Sequence, residues 1–256
     1  MPEDPAVVAD TFRRIARQLF VIGSTDATLH RIVRLAVEIV PGADYAGVSR
    51  MRNRAVTTPA WSDELALRID EAQYAVDEGP CLSAIRLHGT FESTDLGTDE
   101  RWPAFGPRAA EMGVSSLLSF RLHTSSEDDE IKQDPSATPA GPDTVTLGAL
   151  NLYARDRDAF GEVDHRTGAL FAAYASVALE AAEAYRGAQE TAEGLQIALE
   201  SRDVIGQAKG ILMAREHVTA EEAFDILRTT SQHLNVKLRE LAAQVAETGE
   251  LPDDPG

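Results

Sequence analysis

From residue 164 to about residue 216 the chain reads as one continuous helix, with only Gly168, Gly187, Gly194, Gly206 and Gly210 interrupting a run of strong helix formers. Alanine-rich stretches within it, such as ALFAAYASVALEAAEAY, suit close packing. Such a helix divides the chain into a half before it and a half after it, and links the two.

The first half mixes both kinds of element. Val8, Phe12, Ile15, Ala16 and Leu19 fall at helical spacing, and Gly23-Ser24-Thr25-Asp26 stops that helix and caps a second one. The second helix carries Leu29, Ile32, Val33, Ala36, Ile39 and Val40 on its buried side and ends at Pro41-Gly42. Residues 45–49 read as a strand, with 55–57 as hairpin partner, and strand signals resume at 114–120 and 145–153. Short helices near 63–71, after Pro80 and around 103–112 are bounded by Gly and Pro. The expected class is α+β around an antiparallel sheet. Between the last two strands, HTSSEDDEIKQDPSATPAGPDT has almost no apolar residue to offset ordering entropy and reads as a disordered hairpin loop. Its acids read as a solvated charge run rather than a metal site.

Bulk charge narrows the function. The 256 residues, 43% hydrophobic, suffice for one medium domain and one small one, and their net charge of -18 repels nucleic acid as a whole. Any nucleic-acid site is therefore a local basic patch. Cys81 is the sole cysteine, which excludes a disulfide framework and fits a reducing compartment. The acidic N-terminus lacks a signal pattern, and no apolar run reaches the ~18 residues of a membrane span, so the expectation is a cytoplasmic protein with no membrane partner.

The order of elements, with DEGPC at residues 77–81 and GALNLYARDRDAF at 148–160, resembles a GAF domain over residues 8–185. The resemblance implies a six-stranded sheet, a small-molecule pocket between the sheet and the short helices, and dimerisation through flanking helices. It names no ligand, and the cofactor stays unknown. Cys81 follows Gly79-Pro80 at a helix N-terminus, where the dipole lowers a thiol pKa; it reads as a redox or attachment site or as a small buried residue packing that helix. Trp61, Tyr74 and Trp102 line a pocket or form core edges. His88 and His123 have no partner at metal-ligand spacing, and no metal is expected. No nucleophile elbow, phosphate loop or H-E-x-x-H pair is present, and Asp156 and Asp158 read as a solvated turn, so no catalytic residue is expected.

After the long helix, Thr219-Ala220-Glu221-Glu222 forms a capping box, and Asn235 is a cap for a last helix through Leu238, Leu241, Ala242 and Val245. The blocks SRDVIGQAKGILM and AFDILRTTSQHLNVKLRELA resemble an ANTAR domain, placed at residues 186–250. That resemblance implies an all-α, three-helix module that binds paired stem-loops in nascent transcripts and blocks terminator formation. The residues themselves support an apolar stripe of Ile197, Val204, Ile205, Ala208, Ile211 and Leu212, with Arg202 and Lys209 on another face. Gly206 and Gly210 point to tight helix packing or to access for RNA. On the second helix Ala223, Phe224, Leu227 and Leu234 read as core-facing. That leaves Arg228, Ser231 and Gln232, followed by Asn235, Lys237 and Arg239, as candidate RNA contacts. Residues 202–239 carry a net charge of +1 while the remainder holds -19.

Two rivals stay open: a DNA-binding helix-turn-helix, weakened by the few polar residues after Lys237, and a partner-docking bundle without nucleic acid. A homodimer is expected through Phe171, Tyr174, Ala175, Ala178, Leu179, Ala182 and Tyr185, unless that stripe packs on the sheet of its own domain. The signal is expected to be a small molecule or a redox change.

Overall fold

The computed structural model describes residues 13, 15–20, 23–52, 55–124 and 145–252. It divides into two compact units, Met1–Arg186 and Gly187–Gly256. Val8, Phe12 and residues 125–144 of the loop expected at 123–144 lie outside the described residues.

In the first unit, Ser24 caps helix α1 (Thr25–Ile39) by accepting the Ala27 N–H at 3.2 Å. Then come strands β1 (Tyr45–Arg52) and β2 (Ala55–Trp61), helices α2 (Glu64–Val76) and α3 (Pro80–Leu87), and strand β3 (Thr90–Ser93). Helix α4 (Gly106–Glu111), strands β4 (Ser116–His123) and β5 (Thr146–Ala154), and helix α5 (Glu162–Glu216) follow. The sheet is antiparallel throughout, in the order β2-β1-β5-β4-β3.

Five strands stand among the described residues where the resemblance implied six. The stretch between β3 and β4 is spent on a 3-10 turn at Leu96–Thr98 and on α4. Strand β3, only four residues long, was too short to show as alternation in the sequence.

Alternation along the strands gives the sheet two different faces. Ala46, Val48, Leu118, Phe120, Leu122, Leu150 and Leu152 form an apolar core with Leu29, Ile32, Val33 and Ala36 of α1 and the beginning of α5. Helix α5 comes down onto that face at Gly168, where a Cβ would stand 2.5 Å from the Phe120 ring. Phe171, Ala175, Ala178 and Leu179 are buried in this core, with Tyr174 packed on it. The stripe expected to meet a second chain is therefore covered by the chain's own sheet. Ala182 and Tyr185 instead line a small apolar pocket with Leu19, Phe20 and Thr28. Another side of the same helix, with Leu170, Ala173, Val177, Ala181 and Ala184, is exposed.

In the second unit the end of α5 packs with α6 (Ala220–His233) and α7 (Leu238–Thr248) around Ala208, Leu212, Ala223, Leu227, Leu241, Ala242 and Val245. The capping box is formed: Thr219 Oγ1 accepts the Glu222 N–H at 3.3 Å, and Glu222 Oε2 accepts the Thr219 N–H at 2.8 Å. Asn235 does not cap α7. It adopts a left-handed conformation with φ of 52°, and Lys237 occupies the N-cap.

Candidate functional site

The other sheet face is polar at its centre. Helix α2 starts at the Asp63 cap and turns Ala66, Ile69, Asp70 and Gln73 inward, at steps of three, one and three residues along one helical stripe. This places a carboxylate and an amide where apolar side chains would ordinarily sit. Asp70 Oδ1 accepts from Gln73 Nε2 at 2.9 Å, Asn151 Nδ2 at 3.1 Å and the Tyr153 hydroxyl at 2.5 Å. Its Oδ2 accepts from Thr58 Oγ1 at 2.8 Å and, at longer range, from Ser49 Oγ at 3.4 Å. The Tyr74 hydroxyl stands 2.7 Å from Ser49 Oγ and 2.6 Å from Thr58 Oγ1. Ser119 donates to Asn151 Oδ1 at 2.9 Å, turning that amide so that its Nδ2 meets Ser49 at 2.8 Å.

Burial without a cationic donor pushes the Asp70 carboxyl up to about 6, against the pull of the hydrogen bonds from Tyr153, Thr58, Asn151 and Ser49. Asp70 carries a sequence signal, as an acid on the helical stripe of Ala66 and Ile69, but belongs to no recognised motif.

DEGPC turns out to hold the neighbouring elements to this cluster. Asp77 ends α2 in a left-handed conformation and pairs with Arg86. Glu78 Oε2 accepts the backbone N–H groups of Ala104 at 2.8 Å and Phe105 at 3.2 Å. Gly79 has a φ of 131°, and the space a Cβ would take is filled by Gln73, whose Cγ would lie 2.6 Å away. Pro80 opens α3, and Cys81 follows with its N–H on Gln73 Oε1 at 3.0 Å and its thiol on Ser49 Oγ at 3.0 Å.

The thiol is not activated. Burial, and the Asp70 carboxyl beside it, push Cys81 up to about 12, overriding the helix dipole that was expected to lower it. Tyr74 and Cys81 thus meet in the cluster, whereas Trp61 and Trp102 belong to a separate core around Phe105 and Leu117. Trp102 Nε1 donates to Ser83 Oγ at 3.2 Å, with Arg101 stacked 4.4 Å from the ring centroid. His88 caps the end of α3, the Asp156 and Asp158 side chains lie in an exposed turn, and no group of three metal-ligating side chains stands among the described residues.

On the second unit, Arg202, Arg228, Gln232, Asn235, Lys237 and Arg239 are exposed and Lys209 is half-buried. Ser231 is not on that surface: it is buried, and its hydroxyl donates to the Val236 carbonyl at 2.7 Å. Phe224, expected in the core, is 37% exposed, and Lys209 Nζ lies 5.9 Å from its ring centroid. Helical steps of four carry Phe224 on to Arg228 and Gln232, so α6 presents an aromatic, a guanidinium and an amide along one edge beside Lys209. Arg228 shares its charge with Asp225 at 2.8 Å in an exposed pair. Gly206 and Gly210 are exposed, with nothing within 4 Å of a Cβ on either, so they serve no close helix packing in this unit.

The family model of the GAF domain matches residues 23–180, and that of the ANTAR domain matches residues 193–245. Among solved structures, bacteriophytochrome RpBphP3 from the photosynthetic bacterium R. palustris is 10% identical. The match covers 91% of this chain and 47% of that one, with a TM-score of 0.51. The GAF domain from Acinetobacter phosphoenolpyruvate-protein phosphotransferase is 14% identical over 70% of this chain and 96% of that one, at 0.49. Free methionine-R-sulfoxide reductase from Neisseria meningitidis is 14% identical over 72% and 96%, at 0.49. No curated protein matches. Likenesses at these identities concern the fold alone.

Proposed function

The chain belongs to the GAF domain family and carries an ANTAR domain behind it, and from that premise we propose that it is a signal-responsive transcription antitermination regulator. Residues 8–185 act as the sensory domain, and residues 186–250 bind hairpin RNA in nascent transcripts, which sets the work in the cytoplasm. Its role is regulatory rather than catalytic.

The observation that carries this reading is the coincidence of the ANTAR match with the exposed edge of Lys209, Phe224, Arg228 and Gln232. Lysine and arginine meet phosphates, an exposed aromatic ring stacks on an unpaired base, and a carboxamide reads base edges. Arg202, Lys237 and Arg239 are further exposed cations of the second unit, the last two beside the start of α7, where the helix dipole adds to their field. Crosslinking of the full chain to RNA in cells, followed by sequencing, tests the proposal. Paired short hairpins ahead of terminators are expected. Recovery of unstructured RNA alone, or tighter filter binding to duplex DNA than to hairpin RNA, overturns it.

The two-hairpin target implied by the ANTAR resemblance favours two modules held together, and the homodimer is assigned here to the exposed side of α5 with Leu170 and Val177. Sedimentation of the full chain is expected to show a dimer that Val177→Glu converts to monomer. A monomeric parent rules the dimer out.

A further inference from the structure

The Asp70 cluster is built to be satisfied in two protonation states. Oδ1 has three donors, from Gln73, Asn151 and Tyr153. Oδ2 faces the Thr58 and Ser49 hydroxyls and, at 3.3 Å, the Asn151 amide that also serves Oδ1; a hydroxyl can turn from donor to acceptor where an amide N–H cannot, so Asn151 stays with Oδ1 when Oδ2 is protonated. With Asp70 ionised, Thr58 donates to Oδ2 and Tyr74 donates to Thr58 or Ser49, so the chain of protons runs toward the carboxylate. With a proton on Oδ2, that O–H donates to Thr58 Oγ1 across 2.8 Å, Thr58 turns to donate to Tyr74 across 2.6 Å, and Tyr74 donates to Ser49 across 2.7 Å. No buried polar atom is stranded in either arrangement.

The groups facing Asp70 are few. Helix α2 contributes Tyr74, α3 contributes Cys81 and β5 contributes Tyr153, while β1 and β2 contribute the non-titrating Ser49 and Thr58. Burial raises both phenols and the thiol, so none of them ionises before Asp70 does. All five hydrogen-bond donors to the carboxylate are neutral.

We propose that this cluster is a proton-binding site of the sensory domain, in which Asp70 takes a proton from solvent on Oδ2 and the Thr58 and Tyr74 hydroxyls reverse to receive it. One O–H bond forms on Oδ2 as one breaks in a hydronium ion, releasing water, and no other covalent bond changes. The inference rests on the sensory reading of the first unit and supplies that domain with a ligand, the proton.

The test uses the full chain labelled with carbon-13 at aspartate carboxyls, titrated by NMR without RNA, so that failure of RNA binding and failure of proton binding are told apart. One aspartate resonance is expected to titrate with a midpoint of about 6 and to be missing from Asp70→Asn. No aspartate titrating above pH 5, or a titrating resonance that persists in Asp70→Asn, overturns the proposal. Should Asp70→Asn not fold, Tyr153→Phe decides. Loss of one donor to the ionised form is expected to raise the midpoint by about one unit, roughly tenfold in proton affinity, and an unmoved midpoint counts against the site.

Discussion

The two units treat polarity in opposite ways. The first encloses a carboxylate, two amides, three aliphatic and two aromatic hydroxyls and a thiol between sheet and helices. The second keeps its core apolar and sets its cations on the outside, where most meet solvent. A buried polar group is defined by its partners and loses free energy when one is removed, whereas an exposed one is available to something else. Substitutions in the first unit are therefore expected to act on stability, and those on the outer edge of the second on binding.

The sharpest contrast comes from Gln73→Leu. It removes a donor to Asp70 and strands the buried Cys81 N–H, and a loss of about 4 kcal/mol is expected in urea unfolding of the first unit. A loss below about 1 kcal/mol would break the comparison.

Next in size is the pH dependence. The Asp70 carboxyl is raised from 3.8 to about 6, so the folded state holds the proton more tightly than the unfolded chain. Stability is then greatest below the unfolded value and falls as pH rises from about 4 to 6, by roughly 3 kcal/mol. Asp99, held down to about 2 chiefly by its hydrogen bonds with Arg101, acts in the opposite sense, but its window lies below that range. Unfolding midpoints between pH 4 and 7 should show the decline in the parent and not in Asp70→Asn.

On the outer edge, Lys209→Ala, Arg228→Ala and Phe224→Ala are each expected to weaken hairpin RNA binding about tenfold while changing stability by less than about 0.5 kcal/mol. The two charge removals should also lower the salt slope, and Phe224→Ala should leave it unchanged. Filter binding at several salt concentrations separates these outcomes.

The smallest effect expected is that of Ser231→Ala. It should leave RNA affinity unchanged and cost about 1 kcal/mol, since its hydroxyl holds the turn through the Val236 carbonyl. Weakened RNA binding with unaltered stability would return Ser231 to the contact surface.

Legibility followed the same division. Elements fixed by local chemistry were readable, such as the Ser24 cap, the Thr219 capping box and the strands of β1 and β5. Residues at the edge of a stripe were not. Phe224 and Ser231, seven residues apart, share one stripe of α6, and only the packing along its length decides which of them is covered. Asn235 has the composition of a cap, but its left-handed backbone moves the helix start two residues on. Cys81 sits at the helix start that was expected, yet the thiol follows the Asp70 carboxyl and the burial around it, which come from residues distant in sequence.

Strand β1 has one further consequence. Ser49 points into the cluster, while the next residue, Arg50, emerges on the opposite face and pairs with Glu183 of α5. The β1–β2 register slips between Val48 and Arg50, so at Ser49 the strand is held through β5 and released from β2. Because consecutive side chains of a strand stand back to back, the Asp70 cluster on one face and the Arg50–Glu183 pair on the other hang from a single peptide unit.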